Sequence, residues 1–287
     1  MMPRTIESAL ADATNRLAQI SDSPRLDAEA LLASALDAPR SHLFAHPEKR
    51  LTGQEARNFE FAIARRISGE PVAYITGSKE FWSLQLKVTA DTLVPRPETE
   101  LLVEQALLRI PEDQACRVLD LGTGSGALAI AIASERPKST LVAIDSSSAA
   151  LLIAKKNAAF HQLHNIQFMQ GDWIAPVSDK CFDIIVANPP YVSENDPLLD
   201  DLRFEPLSAL AAGPDGLDAI RRIAMNVRAV VARNGTLLLE HGAAQQHAVA
   251  TVLRENAWID IACFDDLSGH PRVIAARIDV PSVLDQP

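Results

Sequence analysis

The sequence predicts an α/β protein: a doubly wound domain with a mainly parallel sheet, preceded by a small helical bundle and a β-hairpin. Three observations carry this. Apolar residues recur every three or four positions from Thr5 to about Gly69, alternate with polar residues between 73 and 94, and beyond about residue 100 gather into short runs separated by alanine-rich or amphipathic segments. With 287 residues, 47% of them hydrophobic, the chain can build one large domain or two modest ones.

In the first region Ile6, Leu10, Ala13, Leu17 and Ile20 mark one helix, and Leu32 and Leu36 mark a second after a Ser23-Pro24 start signal. Thr52-Gly-Gln-Glu55 has capping-box spacing and opens a third helix with Phe59, Ile63 and Ile67 on one face, ending before Gly69. Trp82, Leu84, Leu86 and Val88 then alternate with Ser83, Gln85 and Lys87, after a turn at Gly77-Ser78, as a hairpin strand requires. The prolines of Val94-Pro95-Arg96-Pro97-Glu98-Thr99 break the strand and begin a new helix. Strands follow at 117–121, 141–145, 166–171, 182–187 and 236–240, alternating with helices. The boundaries are a helical domain over 1–72, a hairpin linker over 73–97, the α/β domain over 98–279 and a frayed tail over 280–287.

A formal net charge of -10 argues against a broad phosphate-gripping surface as the main means of binding. Cys116, Cys181 and Cys263 are odd in number and lack CxxC spacing, so they predict buried small apolar residues rather than disulfides or a zinc site. The N-terminus has acidic residues where a signal peptide has an apolar run, and no segment approaches about 18 uninterrupted apolar residues. The expectation is a soluble cytoplasmic protein without metal.

The first chemical signal is "RVLDLGTGSGALAIAIA" from Arg117. Gly122, Gly124 and Gly126 stand where a strand turns into a helix, allowing the backbone to approach a ligand. Asp145 ends the next strand, where a carboxylate can accept hydrogen bonds from ribose hydroxyls. This pattern alone also fits a nicotinamide oxidoreductase, or glycines serving helix packing only. Asp120 would repel a diphosphate but tolerate a sulfonium and an ammonium. Trp173, after the third strand, either covers an adenine or caps the core.

The second signal is "FDIIVANPPYVSENDP" from Phe182, in which a buried strand runs into an amide, two prolines and a ring. The Asn188 side-chain oxygen and the Pro189 carbonyl form two acceptors that hold a planar NH2 in one orientation. Pro190 stiffens the turn, and Tyr191 lies against the flat face carrying the nitrogen. An amide nitrogen is a poor nucleophile, so placing it in line with a methyl sulfonium recovers rate through proximity and oriented electrostatics. The combined signals point to S-adenosylmethionine-dependent methylation of a planar nitrogen.

With these residues in place, the chain resembles the peptide-chain release factor N5-glutamine methyltransferases of the PrmC/HemK family. The stretches that carry the resemblance are "SPRLDAEALL" from Ser23, "GEPVAYITGSKEFWSLQLKV" from Gly69, "TLVPRPETELLVEQAL" from Thr92, "VLDLGTGSGALAIAIA" from Val118, "NPPYV" from Asn188, "RFEPLSALAAGPDGL" from Arg203 and "LLLEHG" from Leu237. It implies a class I (Rossmann-like) methyltransferase domain with a mainly parallel seven-stranded sheet and S-adenosyl-L-methionine as cofactor. Gly122, Thr123, Gly124, Ser125 and Gly126 would hold its methionine side, Asp145 its ribose and Trp173 its adenine, with Asn188 also touching the cofactor. Asn188, Pro189, Pro190 and Tyr191 would hold the target glutamine of the Gly-Gly-Gln loop of class I release factors. The helical domain would dock that protein substrate. A monomer acting on neither membrane nor nucleic acid is implied.

Alternatives are a ribosomal-protein glutamine methyltransferase, disfavoured because "PRPETE" stands where that branch carries "PRSPI"; a DNA adenine methyltransferase, disfavoured by charge; and a noncatalytic nucleotide-binding adaptor. The position of Trp173 is not fixed in the family, and Leu202 and a missing glycine leave the loop over 194–206 without a family template. Arg203 and Glu205 either cover the site or form a solvated pair. Arg96 and Glu98 either approach the cofactor or brace the junction, and His241 and His270 are structural or exposed.

Overall fold

The computed structural model describes residues 4–179 and 181–278, so the tail over 280–287 lies outside the described residues. The chain divides into two compact units between Ser78 and Lys79. The first holds α1 (Ile6–Leu17), α2 (Pro24–Ala35), α3 (Arg40–Ala45), α4 (Gly53–Ile67) and the short α5 (Val72–Thr76). Pro24 opens α2 at its first turn. Thr52 and Glu55 close the expected capping box on α4: each accepts the other's backbone N–H, at 3.2 and 2.6 Å. Such a cap is worth about 1 kcal/mol. Ile6, Leu10, Leu17, Leu31, Leu32, Phe59 and Ile63 form the core. Ile20 and Ile67 fall outside it, because α1 stops at Leu17 and Ile67 is the last residue of α4.

The hairpin β1 (Ser78–Phe81) and β2 (Leu84–Lys87) comes next, all but its first residue in the second unit. Here the structure corrects the sequence: residues 72–76 are helical, and Trp82 sits in the two-residue turn, not in a strand. Trp82 and Ser83 take φ of +52° and +58°, the left-handed pair that a tight hairpin turn needs. Tertiary bonds stabilise this against the side chains' preference, since the Trp82 amide donates to Glu100 and its indole N–H to Glu135, both at 2.9 Å.

Beyond a 3-10 turn at Pro97–Thr99 come α6 (Glu100–Leu107), β3 (Arg117–Leu121), α7 (Ala127–Glu135), β4 (Thr140–Asp145), α8 (Ser148–Phe160), β5 (Ile166–Gln170) and β6 (Phe182–Ala187). The chain continues with α9 (Leu198–Asp201), α10 (Asp218–Asn226), β7 (Val231–Glu240), α11 (Gln246–Glu255), β8 (Trp258–Asp265) and β9 (Pro271–Ile278). The seven strands β3–β9 lie in the order β5-β4-β3-β6-β7-β9-β8, parallel except for β9, which runs antiparallel to β7 and β8. Residue pattern marked five of these strands; β8 escapes because its edge position leaves most of it exposed or half-exposed. Alternate residues of each strand enter two cores. Leu119, Leu121, Ile185, Ala187, Leu237 and Leu239 pack on the α10–α11 side. Val118, Ile184, Val186 and Leu238 pack on the α6–α7 side. Among the described residues no helix is long and apolar enough to cross a membrane.

Candidate active site

The sheet register places four strand ends in one row. Leu121 pairs with Ile144 on one side and Ala187 on the other, and Ala187 pairs with Leu239. The next residues, Gly122, Asp145, Asn188 and Glu240, therefore leave the sheet side by side. The strand order reverses between β3 and β6, so the glycine loop and the Asn-Pro-Pro-Tyr segment flank the crevice where open α/β sheets bind ligands.

A cavity of about 540 Å³ opens there, lined by Gly122, Thr123, Gly124, Ser125, Asp145, Trp173, Asn188 and Pro190 among others. Gly122 and Gly124 take φ of +73° and +56°, and a Cβ built on Gly122 would meet nothing within 4 Å, so it would stand in space that a ligand can use. Gly126 does not line the cavity; a Cβ there would meet Ile130 and Ala154 at 2.9 and 3.1 Å, which gives this glycine the task of packing α7 against α8. Asp145 accepts the amides of Gly124 and Ser147, one on each oxygen and both at 2.8 Å, leaving further lone pairs for hydroxyl donors. Trp173 lines the cavity and also packs on the α10–α11 core.

A second, smaller cavity of about 250 Å³ is lined by Pro189, Tyr191, Leu93, Arg96, Leu198 and Leu202. Asn188 lines both cavities. Its Nδ2 donates to Thr99 Oγ1 at 3.1 Å, which leaves Oδ1 without a partner among the described residues. The Pro189 carbonyl accepts no hydrogen bond from the described residues either. Tyr191 donates its phenol proton to Glu240 Oε1 at 3.1 Å, and burial followed by the Glu240 charge pushes the phenol pKa above its usual range. Gln245 donates to the Tyr191 carbonyl at 2.9 Å and steadies the turn.

Two carboxyl groups are fully buried behind these surfaces. Burial pushes Asp120 up to about 7, against the Thr123 hydroxyl that donates to it at 2.6 Å and the nearby Ala129 amide; the Asp145 charge adds to the rise. Burial likewise pushes Glu240 up to about 6, opposed by Thr99, Tyr191 and Arg272. Among the described residues Asp120 Oδ1 and Glu240 Oε2 have no hydrogen-bond partner.

Glu205 corrects the picture of a solvated loop pair. It is buried, accepts the Val94 amide at 2.9 Å and the Arg96 guanidinium, and so fastens its loop to the junction segment. Arg203 instead lies over the Phe204 ring, 5.0 Å from its centroid. Glu98 stands near enough to Glu240 to raise its pKa. His241 is fully buried, and His270 is exposed beside Asp266. The three cysteines are free and half-buried rather than buried. No group of three or more His, Cys, Asp or Glu suited to a metal occurs among the described residues. Sequence reasoning passed over Thr99 and Glu240, although both lie in quoted stretches, "PRPETE" and "LLLEHG"; neither spacing nor periodicity marks them, because only the fold brings them to Asn188 and Tyr191.

Comparison with known proteins agrees with this geometry. Residues 8–77 match the PrmC N-terminal domain model and residues 97–201 the Methyltransferase small domain model. The chain is 45% identical over 273 residues to the release factor glutamine methyltransferase of Coxiella burnetii, covering 95% of this chain and 99% of that protein. It is 48% identical over 280 residues to that of Vibrio cholerae, covering 95% and 96%. A methyltransferase structure from Pyrococcus furiosus, 15% identical, shares the fold with a TM-score of 0.54 over 76% of this chain and 98% of that one. Full-length identity at this level, together with the two domain models in the same order, makes the chain a member of the release factor glutamine methyltransferase family.

Proposed function

We propose that the protein transfers a methyl group from S-adenosyl-L-methionine to the side-chain N5 of the glutamine in the Gly-Gly-Gln loop of class I release factors. The observation that carries this is Asn188, which stands between the two cavities with Nδ2 committed to Thr99 and Oδ1 uncommitted. Oδ1 and the Pro189 carbonyl then accept both hydrogens of a primary amide entering from the smaller cavity, with Tyr191 against its face.

The larger cavity suits the cofactor. Gly122, Thr123, Gly124 and Ser125, which line it, would hold the methionine side, Asp145 would accept from ribose hydroxyls, and Trp173 would cover the base. Asp120, buried behind Thr123 with its Oδ1 unpartnered among the described residues, favours a cationic ligand over a diphosphate. When bound, the cofactor supplies an electrophilic methyl group on a sulfonium. Asn188 Oδ1 and the Pro189 carbonyl would hold both hydrogens of the amide and so fix its nitrogen toward the larger cavity, and the proton the nitrogen gives up would leave to water.

The helical unit over 1–72 is the docking domain for the release factor, supported by Phe44, Phe61 and Leu26, which it leaves exposed. A net charge of -10 favours a protein substrate over nucleic acid. The enzyme acts as a monomer in the cytoplasm, where its substrate resides. Incubation with cofactor and a purified class I release factor, followed by mass spectrometry of the Gly-Gly-Gln peptide, gives one added methyl on the glutamine. Transfer to a ribosomal protein alone, or cofactor binding without any turnover, contradicts the proposal.

A further inference from the structure

The smaller cavity, where the target amide enters, is short of donors. Leu93, Val192, Leu198, Leu202 and Leu210 give it mostly apolar walls. A glutamine held there brings its own polypeptide with it, and main-chain carbonyls that lose water against such walls need a hydrogen-bond donor. Two lining side chains that could donate are already engaged: Asn188 Nδ2 with Thr99 and the Tyr191 phenol with Glu240, both at 3.1 Å. The third is Arg96, which lines the same cavity with its side chain 34% exposed.

Among the described residues the only hydrogen bond of Arg96 runs from Nη2 to Glu205 Oε1. A guanidinium carries five N–H donors in a planar fork, so most of them remain to be used. The fork is nonetheless held in place. The Glu205 side chain is only 1% exposed, and its other oxygen accepts the Val94 amide at 2.9 Å, so one carboxylate grips both the guanidinium and the backbone that leads to it. This pairing also selects the ligand's charge: a guanidinium already beside a carboxylate suits a neutral carbonyl better than a second anion.

We propose that Arg96 binds main-chain carbonyl oxygens of the substrate segment that carries the target glutamine, and that Glu205 is the positioning residue that aims it. The proposal rests on the reading of the smaller cavity as the entry for the target amide. Arg96 then acts on the binding of the protein substrate and not on the transfer, because a contact to a bystander carbonyl is equally good before and during the reaction. An ion pair that only braces two loops gives a different result when its members are replaced in turn.

The test is steady-state methylation of a purified class I release factor by wild type, Glu205→Gln, Arg96→Lys, the Arg96→Met/Glu205→Gln double variant and Asn188→Ala, with cofactor affinity measured by calorimetry. The double variant takes the place of Arg96→Met alone, which would strand a buried carboxylate. Glu205→Gln keeps an acceptor for the Val94 amide but loosens the fork, and raises KM for the release factor about 3- to 10-fold. Adding Arg96→Met raises KM by about 10-fold more, with kcat and cofactor affinity within about threefold of wild type. Arg96→Lys, charged but without the fork, falls between wild type and the double variant.

If the pair only braces the fold, removing Arg96 once Glu205 is neutral leaves KM unchanged, and that result overturns the proposal. A loss confined to kcat, or a loss of cofactor affinity equal to the rise in KM, overturns it too. Should the Glu205→Gln variants not fold, wild-type KM in Arg96→Lys has the same force. Wild-type turnover by Asn188→Ala sinks the underlying reading, whereas an inactive Asn188→Ala beside a KM that Arg96→Met does not change sinks this proposal alone.

Discussion

In the helical unit Glu29 is buried, yet Arg25 and Arg40 each hold one of its oxygens at 2.6 Å; at the carboxyl edge of the sheet Asp120 and Glu240 are buried with one oxygen apiece unpartnered among the described residues. Burial pushes the Glu29 pKa up, but the bonds from Arg40 and Arg25 outweigh it and hold the group below the usual carboxylate range. Asp120 and Glu240 move the other way, to about 7 and about 6. An acid that serves the fold is paired. An acid left poised behind a cavity costs stability and marks a place where a ligand or a reacting group is handled. His42 Nε2 in the helical unit also lacks a partner among the described residues.

The sharpest way to break this contrast is pH. Asp120 rises from an ordinary 3.8 to about 7, so between those values the folded chain holds a proton that the unfolded chain releases. Its contribution is therefore fully present below about pH 4 and is lost as pH rises through about 7. Glu240 acts with the same sign between 4.5 and about 6, and His241, held below 6.5, with the opposite sign. Asp120→Asn removes only the first effect. Urea unfolding of the cofactor-free protein from pH 4 to 8 shows wild type losing up to roughly 4 kcal/mol relative to the variant. Parallel curves for the two proteins contradict the account.

Glu29 predicts the reverse. Its lowered pKa gives stability that is present above 4.5 and lost as pH falls through the folded value. Glu29→Gln leaves two guanidinium groups short of a charged partner and lowers stability at pH 7 by about 1–3 kcal/mol in thermal or urea unfolding. The smallest effect belongs to Glu60, which accepts from Arg4 and Arg16 at 2.7 and 2.8 Å with all three side chains at least a third exposed. Glu60→Gln shifts stability by less than about 1 kcal/mol. A loss equal to that of Glu29→Gln would show that burial does not govern the difference.

Period and punctuation made much of the architecture legible. The capping box at Thr52, the central strands and the strand-end positions of Gly122, Asp145 and Asn188 all follow from local pattern. Trp82 misled because the alternation runs through a turn whose left-handed residues are held by Glu100 and Glu135, distant in sequence. Gly126 sits in the motif but serves packing, a distinction that only its neighbours Ile130 and Ala154 make. The contacts of Thr99, Glu205 and Glu240 were illegible for the same reason: each acts on a residue 49 or more positions away, as the Asn188–Thr99, Val94–Glu205 and Tyr191–Glu240 bonds show, with separations of 89, 111 and 49.

The central claim is that polar groups at the carboxyl edge of the sheet serve rate more than stability, and Asn188 tests it most directly. Asn188→Ala is assayed in parallel for kcat on a class I release factor and for its unfolding midpoint. The account predicts a rate loss of roughly 10²- to 10³-fold with stability changed by less than about 1.5 kcal/mol and cofactor still bound. Wild-type kcat, or a rate loss that merely follows unfolding, would contradict it.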